Sequence, residues 1–118
     1  YKVMGDLTQR IAKGTEGKYG YTAAGAVVGA TYPSDLRELR KRLENTFFLV
    51  PGYGAQGGTA EDVQYAFDKF GHGAIINSSR GIMCAWKKTG NDGTDYQQAA
   101  RNAALAMRDD IKQFTTIV

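Results

Sequence analysis

Two glycine-bearing segments carry the residues best suited to chemistry in this 118-residue chain. The first reads Val50-Pro51-Gly52-Tyr53-Gly54-Ala55-Gln56-Gly57-Gly58, and the second Asn77-Ser78-Ser79-Arg80-Gly81. Each follows a short apolar run, Phe47 to Val50 and Ala74 to Ile76 respectively. A strand that ends in a glycine-rich loop at a helix start is suited to anions. The glycines let the backbone approach closely, the exposed amides point at the ligand, and the helix dipole favours negative charge. Gln56 adds a neutral donor, and the guanidinium of Arg80 offers a planar fork that matches phosphate oxygens. The two loops together predict one phosphate site.

Other reactive side chains do not group in this way. Cys84 and His72 fall at opposite ends of the third apolar run, so they are not expected to form a thiol–imidazole pair. Cys84 reads as a small buried apolar residue and His72 as a loop residue. Asp110 and Lys112 are two positions apart on a helical pattern and so do not face each other, which makes them a solvated surface. Arg37, Arg40, Lys41 and Arg42 share a helix with Asp35, Glu38 and Glu44, which also reads as a solvated face. No cluster of metal-ligand type is visible.

The elements that must position the two loops follow from periodicity. Val3, Leu7 and Ile11 recur every fourth residue, as at the end of an amphipathic helix broken by Gly14 to Gly20. Gly25 to Ala30 is apolar throughout and reads, like Phe47–Val50 and Ala74–Ile76, as a strand buried on both faces of a parallel sheet. Pro33 opens a helix striped by Leu36, Leu39 and Leu43. Thr59 with Asp62 resembles a capping box, followed by Val63, Ala66, Phe67 and Phe70. Ala100, Ala103, Ala104, Met107, Ile111 and Phe114 mark a last helix, after a polar loop from Lys87 to Asp95. Strict alternation of buried strands and helices means parallel β/α units. Three such units fit a small open sheet or part of a (β/α)8 barrel, which needs eight units and about 250 residues.

Several segments resemble the C-terminal portion of the orotidine 5′-phosphate decarboxylase family. They are Gly25-Ala-Val-Val-Gly-Ala-Thr31 with Pro33, Phe48-Leu-Val-Pro-Gly-Tyr-Gly-Ala-Gln-Gly-Gly58, and Ala74-Ile-Ile-Asn-Ser-Ser-Arg-Gly-Ile82. The Asn-Ser-Ser-Arg-Gly form is similar to the longer bacterial branch, and the likeness covers roughly residues 20–112. It implies an α/β fold, the last three β/α units of a TIM (β/α)8 barrel, incomplete as a barrel on its own. Residues 1–118 would be the C-terminal part of one barrel domain with no internal boundary. By the resemblance, Gln56 and Arg80 bind the substrate 5′-phosphate, assisted by backbone at Gly57, Gly58 and Gly81. Pro51 lies beside the pyrimidine, and Thr31 stands near the active-site mouth. The whole enzyme converts OMP to UMP and carbon dioxide in pyrimidine biosynthesis without metal or other cofactor, as a homodimer. Its catalytic Asp-x-Lys-x-x-Asp belongs to an N-terminal half. Here the only partial match, Asp110-Ile-Lys112, has Thr115 where the second aspartate should stand. The chain is thus expected to hold the phosphate grip and to be inactive by itself.

Composition bounds the partners. A net charge of +3 with interleaved signs argues against nucleic acid. No apolar run approaches the ~20 residues that span a bilayer. A single cysteine suits a reducing, cytoplasmic setting. The start at Tyr1 rather than a methionine suggests that something upstream has been removed. Two other classes share the loop logic: a non-catalytic phosphate-binding module, and another phosphate-binding barrel enzyme acting on a sugar phosphate.

Overall fold

A computed structural model describes residues 1–116. Helix α1 (Lys2–Ala12) precedes strand β1 (Gly25–Val27), helix α2 (Pro33–Arg42) and strand β2 (Phe47–Pro51). Helix α3 (Ala60–Val63), strand β3 (Ala74–Asn77), helix α4 (Ser79–Met83) and helix α5 (Tyr96–Lys112) follow. The strands form one parallel sheet in the order β1-β2-β3. Pairing continues beyond β1, where the amides of Val28 and Ala30 donate to the carbonyls of Leu49 and Pro51 at 2.9 Å each. This is an α/β partial barrel with both sheet edges free among the described residues.

One face of the sheet carries the core. The leucine stripe of α2 (Leu36, Leu39, Leu43) packs on Phe48 and Val50, together with Val63 and Ala66. Each of these larger side chains, withdrawn from water, contributes about 1.5–3 kcal/mol. Pro33 sits in the first turn of α2, where its missing N–H costs nothing. The capping box is complete, with Thr59 and Asp62 each bonding the other's backbone N–H.

The opposite face departs from the expectation of strands buried on both sides. Val27, Leu49 and Ile75 form a row in register across the three strands. They are 70%, 41% and 58% exposed, and Phe47 beside them is 39% exposed. Alternation along each strand sends every second side chain to this face, and no described element covers it. The molecule is accordingly long and open, 50 × 27 × 24 Å.

Three other expectations are corrected. Helix α3 gives way to a 3₁₀ turn over Gln64–Ala66, and the backbone is extended at Phe67, so Phe70 lies outside any helical stripe. The Asp68 carboxylate accepts from the amides of Phe70 and His72 and from the Tyr21 hydroxyl, and this local bonding competes with helix continuation. On α1 the stripe of Val3, Leu7 and Ile11 stays exposed, and Gly5 and Ala12 face inward instead. A Cβ on Gly5 would lie 2.8 Å from Leu43 Cδ1, so the absence of a side chain is what lets α1 approach α2.

Arg40 is the third correction, because it is buried rather than solvated. Its guanidinium donates to the carbonyls of Ala66 at 3.3 Å, Gly73 at 3.1 Å, Thr46 at 2.8 Å, and Leu43. It also lies 4.1 Å from the centre of the Phe48 ring, a cation–π contact. Burial lowers its pKa from the ordinary arginine value. One side chain thus ties α2 to the turns before β2 and β3.

Candidate functional site

Because the strands are parallel, their C-terminal ends open at one edge of the sheet, where the first two loops of interest lie side by side. The glycine-rich loop is tightly wound. Gly52, Gly54 and Gly57 have φ of 104°, 75° and 90°, a region open to glycine but not to most residues. Gly54 N–H donates to Gly58 O at 2.7 Å, Gly57 N–H to Gly54 O at 2.9 Å, and Gly58 N–H to Gly52 O at 3.0 Å. The amides of Gly57 and Gly58 therefore serve the loop's own shape. Gly58 is buried, and a Cβ there would stand 2.7 Å from Gly52 O and 2.8 Å from Ala30 Cβ.

The second loop runs from the end of β3 into α4. Ser78 precedes this helix, and the amides of its first turn have no intrahelical acceptor to pair with. Ser78 Oγ donates to Tyr53 O at 3.4 Å, which links the two loops directly. A Cβ at Gly81 would come within 2.4 Å of that Oγ, so glycine at this position leaves room for the link.

Arg80 and Gly81 line a cleft of about 750 Å³ together with Tyr53, Gly54, Ala55 and Asp110. Lys87 and Lys88, from the 3₁₀ turn Ala85–Lys88, add two further cations to its wall. Gly57 and Gly58 border an adjoining hollow of about 430 Å³ with Thr59 and Glu61, and Tyr53, Gly54 and Asp110 are common to both. Gln56 lines neither of them. It is exposed, with its Oε1 folded back over Gly52, 3.3 Å from where a Cβ of that glycine would stand. Pro51 ends β2 in register with Asn77, half-buried, and Thr31 is exposed in the turn before α2. The structure thus gathers Arg80, Gly81, Gly57 and Gly58 around adjoining hollows, and it sets Gln56, Pro51 and Thr31 at the same edge of the sheet.

Three features of this site received no role in it from the sequence. Tyr53 donates its hydroxyl to Asp110 Oδ2 at 2.6 Å across 57 residues of chain. Burial and that bond push its phenol up to about 12. Asp110 is therefore not a freely solvated helix residue, and no local spacing could have shown this. Ser78 was visible only as part of the loop. The Lys87-Lys88 pair was visible as charge but not as a wall of this cleft. Cys84 is half-buried and lines the same cleft, rather than being a core residue. His72 lies before β3 with its ring edge-on to Tyr19 at 5.2 Å, apart from Cys84 as expected. No group of three or more metal-ligating side chains of His, Cys, Asp or Glu type occurs among the described residues. Among them, too, no helix is long and apolar enough to cross a membrane.

No protein-family model matches the chain. Among curated proteins, the orotidine 5′-phosphate decarboxylase of Clostridium kluyveri is 44% identical over 111 residues, which is 94% of this chain and 38% of that protein. That of Clostridium tetani is 45% identical over 113 residues, 96% of this chain and 38% of the relative. Among solved structures, the OMP decarboxylase of Leishmania donovani is 30% identical with a TM-score of 0.55, covering 87% of this chain and 38% of that one. The chain spans well under half the length of these relatives.

Proposed function

We propose that this chain, which belongs to the orotidine 5′-phosphate decarboxylase family by its likeness to those relatives, supplies the 5′-phosphate grip of a complete decarboxylase. The observation that carries this reading is the pairing of two strand-to-loop turns through Ser78 and Tyr53, with Arg80 in the cleft beside them. Arg80 supplies charge and a bidentate fork, and the first-turn amides of α4 add donors of the same polarity. Gln56 is the neutral donor, reaching the phosphate once its carboxamide swings off Gly52. Gly57, Gly58 and Gly81 act through the loop shape they permit. Pro51 and Thr31 stand on the side of the pyrimidine.

Residues 1–118 form, on this reading, the C-terminal part of one (β/α)8 domain, and an N-terminal half of that barrel is the partner of the open sheet. That half holds the lysine and aspartates of the reaction. There the bond from the pyrimidine to its carboxylate breaks, carbon dioxide leaves, and the electron pair remaining on the ring carbon takes up a proton. Phosphate binding here lowers the barrel's barrier at a distance, since binding energy from a remote group can be expressed in the transition state. The complete barrel acts as a homodimer.

The test uses a full-length protein carrying this segment. Arg80→Ala should weaken UMP binding by roughly 30- to 150-fold, the value of about 2–3 kcal/mol for a charge-assisted contact, while uridine binding stays within about twofold. Equal losses for UMP and uridine, or no decarboxylation of OMP by the unsubstituted protein, would refute the assignment.

A further inference from the structure

The carboxylate of Asp110 stands where a phosphate grip should not tolerate one. Among the described residues lining the Arg80 cleft, it is the sole acid, set against Arg80, Lys87 and Lys88. It also borders the hollow of Gly57 and Gly58. A free carboxylate there would pair with Arg80 and repel an incoming dianion. It is not free, because the Tyr53 hydroxyl donates to its Oδ2 at 2.6 Å. Tyr53 is itself fixed to the second loop, its carbonyl accepting from Ser78 Oγ. The raised phenol keeps its proton at every working pH, so the donor is always present.

We infer that Tyr53 is a positioning residue of the phosphate grip, which engages Asp110 and so keeps that carboxylate from competing with phosphate for Arg80. The inference rests on the phosphate reading above and assigns a role to a residue that touches neither the phosphate nor the reacting carbon. It separates two uses of the same hydrogen bond. If the bond only tethered the glycine loop, removing either partner would damage binding equally. If it controls charge, removing the hydroxyl does harm, and removing the charge as well repairs it.

The experiment is calorimetric titration of a full-length protein carrying this segment with UMP and with uridine. Tyr53→Phe should weaken UMP binding about tenfold and leave uridine within about twofold. Asp110→Asn keeps an acceptor for the phenol and should bind UMP more tightly, by about two- to threefold, as a nearby like charge is removed. The double variant Tyr53→Phe, Asp110→Asn should recover to within about threefold of the unsubstituted protein, a gain that a merely structural tether would not give. A double variant no better than Tyr53→Phe overturns the inference, as do equal losses for UMP and uridine in Tyr53→Phe. If Tyr53→Phe does not fold, Asp110→Asn decides alone: tighter UMP binding supports the charge role, and unchanged or weaker binding overturns it. Failure of the unsubstituted protein to bind UMP removes the phosphate reading and this inference together, whereas UMP binding indifferent to Tyr53→Phe removes this inference only.

Discussion

Replacing Arg40 with methionine tests how far the α2 packing depends on one buried cation. The guanidinium serves four carbonyls. Two of these retain a backbone donor without it, since Gly73 O also accepts from Phe48 N–H at 2.8 Å and Leu43 O from Thr46 N–H at 3.1 Å. The carbonyls of Ala66 and Thr46 lose the donor that Arg40 provides. Stranding a buried acceptor costs about 1–3 kcal/mol, so two cost about 2–6 kcal/mol. The cation–π contact with Phe48 is lost as well, and the methionine recovers part of this by filling space and by ending the burial of a charge. A net loss of about 3–5 kcal/mol follows, a large share of the 5–15 kcal/mol that holds a typical domain together. Urea unfolding followed by circular dichroism measures it. With a slope of about 1.5 kcal/mol/M, the midpoint should fall by roughly 2–3 M, or the variant should be unfolded without urea. Arg40→Lys, which keeps the charge but reaches fewer carbonyls, should fall between the two. A midpoint for Arg40→Met within about 0.5 M of the parent would refute the view that these carbonyls depend on the side chain.

Two further outcomes follow. The isolated 118-residue chain should self-associate through its uncovered sheet face, measured by sedimentation velocity, and Leu49→Glu with Ile75→Lys should shift it toward monomer; a monomeric parent would contradict the reading of that face. Burial and a carboxylate partner raise the phenols of Tyr21 and Tyr53 from an ordinary 10.0 to about 12, so the folded chain holds these protons more tightly than the unfolded one. Their contribution to stability is complete below about pH 10 and lost as pH rises through about 12. Urea midpoints across that window should drop more steeply in the parent than in a Tyr21→Phe, Tyr53→Phe variant, and parallel curves would refute the coupling.

What could be read from the sequence was whatever depends on neighbours along the chain. Leu36, Leu39 and Leu43 announce a buried helix face by spacing alone, Thr59 and Asp62 announce a cap, and three β-branched or apolar runs between helices announce a parallel sheet. The two glycine-bearing loops were visible as segments because each is continuous. What could not be read depends on contacts between distant segments or on the lack of them. Arg40 sits in an ordinary mixed-charge helix, and nothing in that pattern shows that four carbonyls converge on it. The bond from Tyr53 to Asp110 joins a loop to a helix 57 residues later. Val27, Leu49 and Ile75 read as core residues because their neighbours are apolar, yet a three-stranded sheet offers them no second layer. The winding of the glycine loop likewise turns the amides of Gly57 and Gly58 inward, which glycine content by itself does not specify.

The distance between Tyr53 and Asp110 also has a meaning for synthesis, which proceeds from the N-terminus. Every carbonyl that Arg40 bonds lies at or before Gly73, and β3 ends at Asn77, so the sheet and its helical cover can close once that much chain has emerged. The glycine loop is made before β3 but does not gain the partner of its tyrosine until most of α5 has followed. A nascent chain therefore has its scaffold and its glycine loop before the carboxylate that the loop's tyrosine engages, and that pairing arrives with the last helix rather than with the fold.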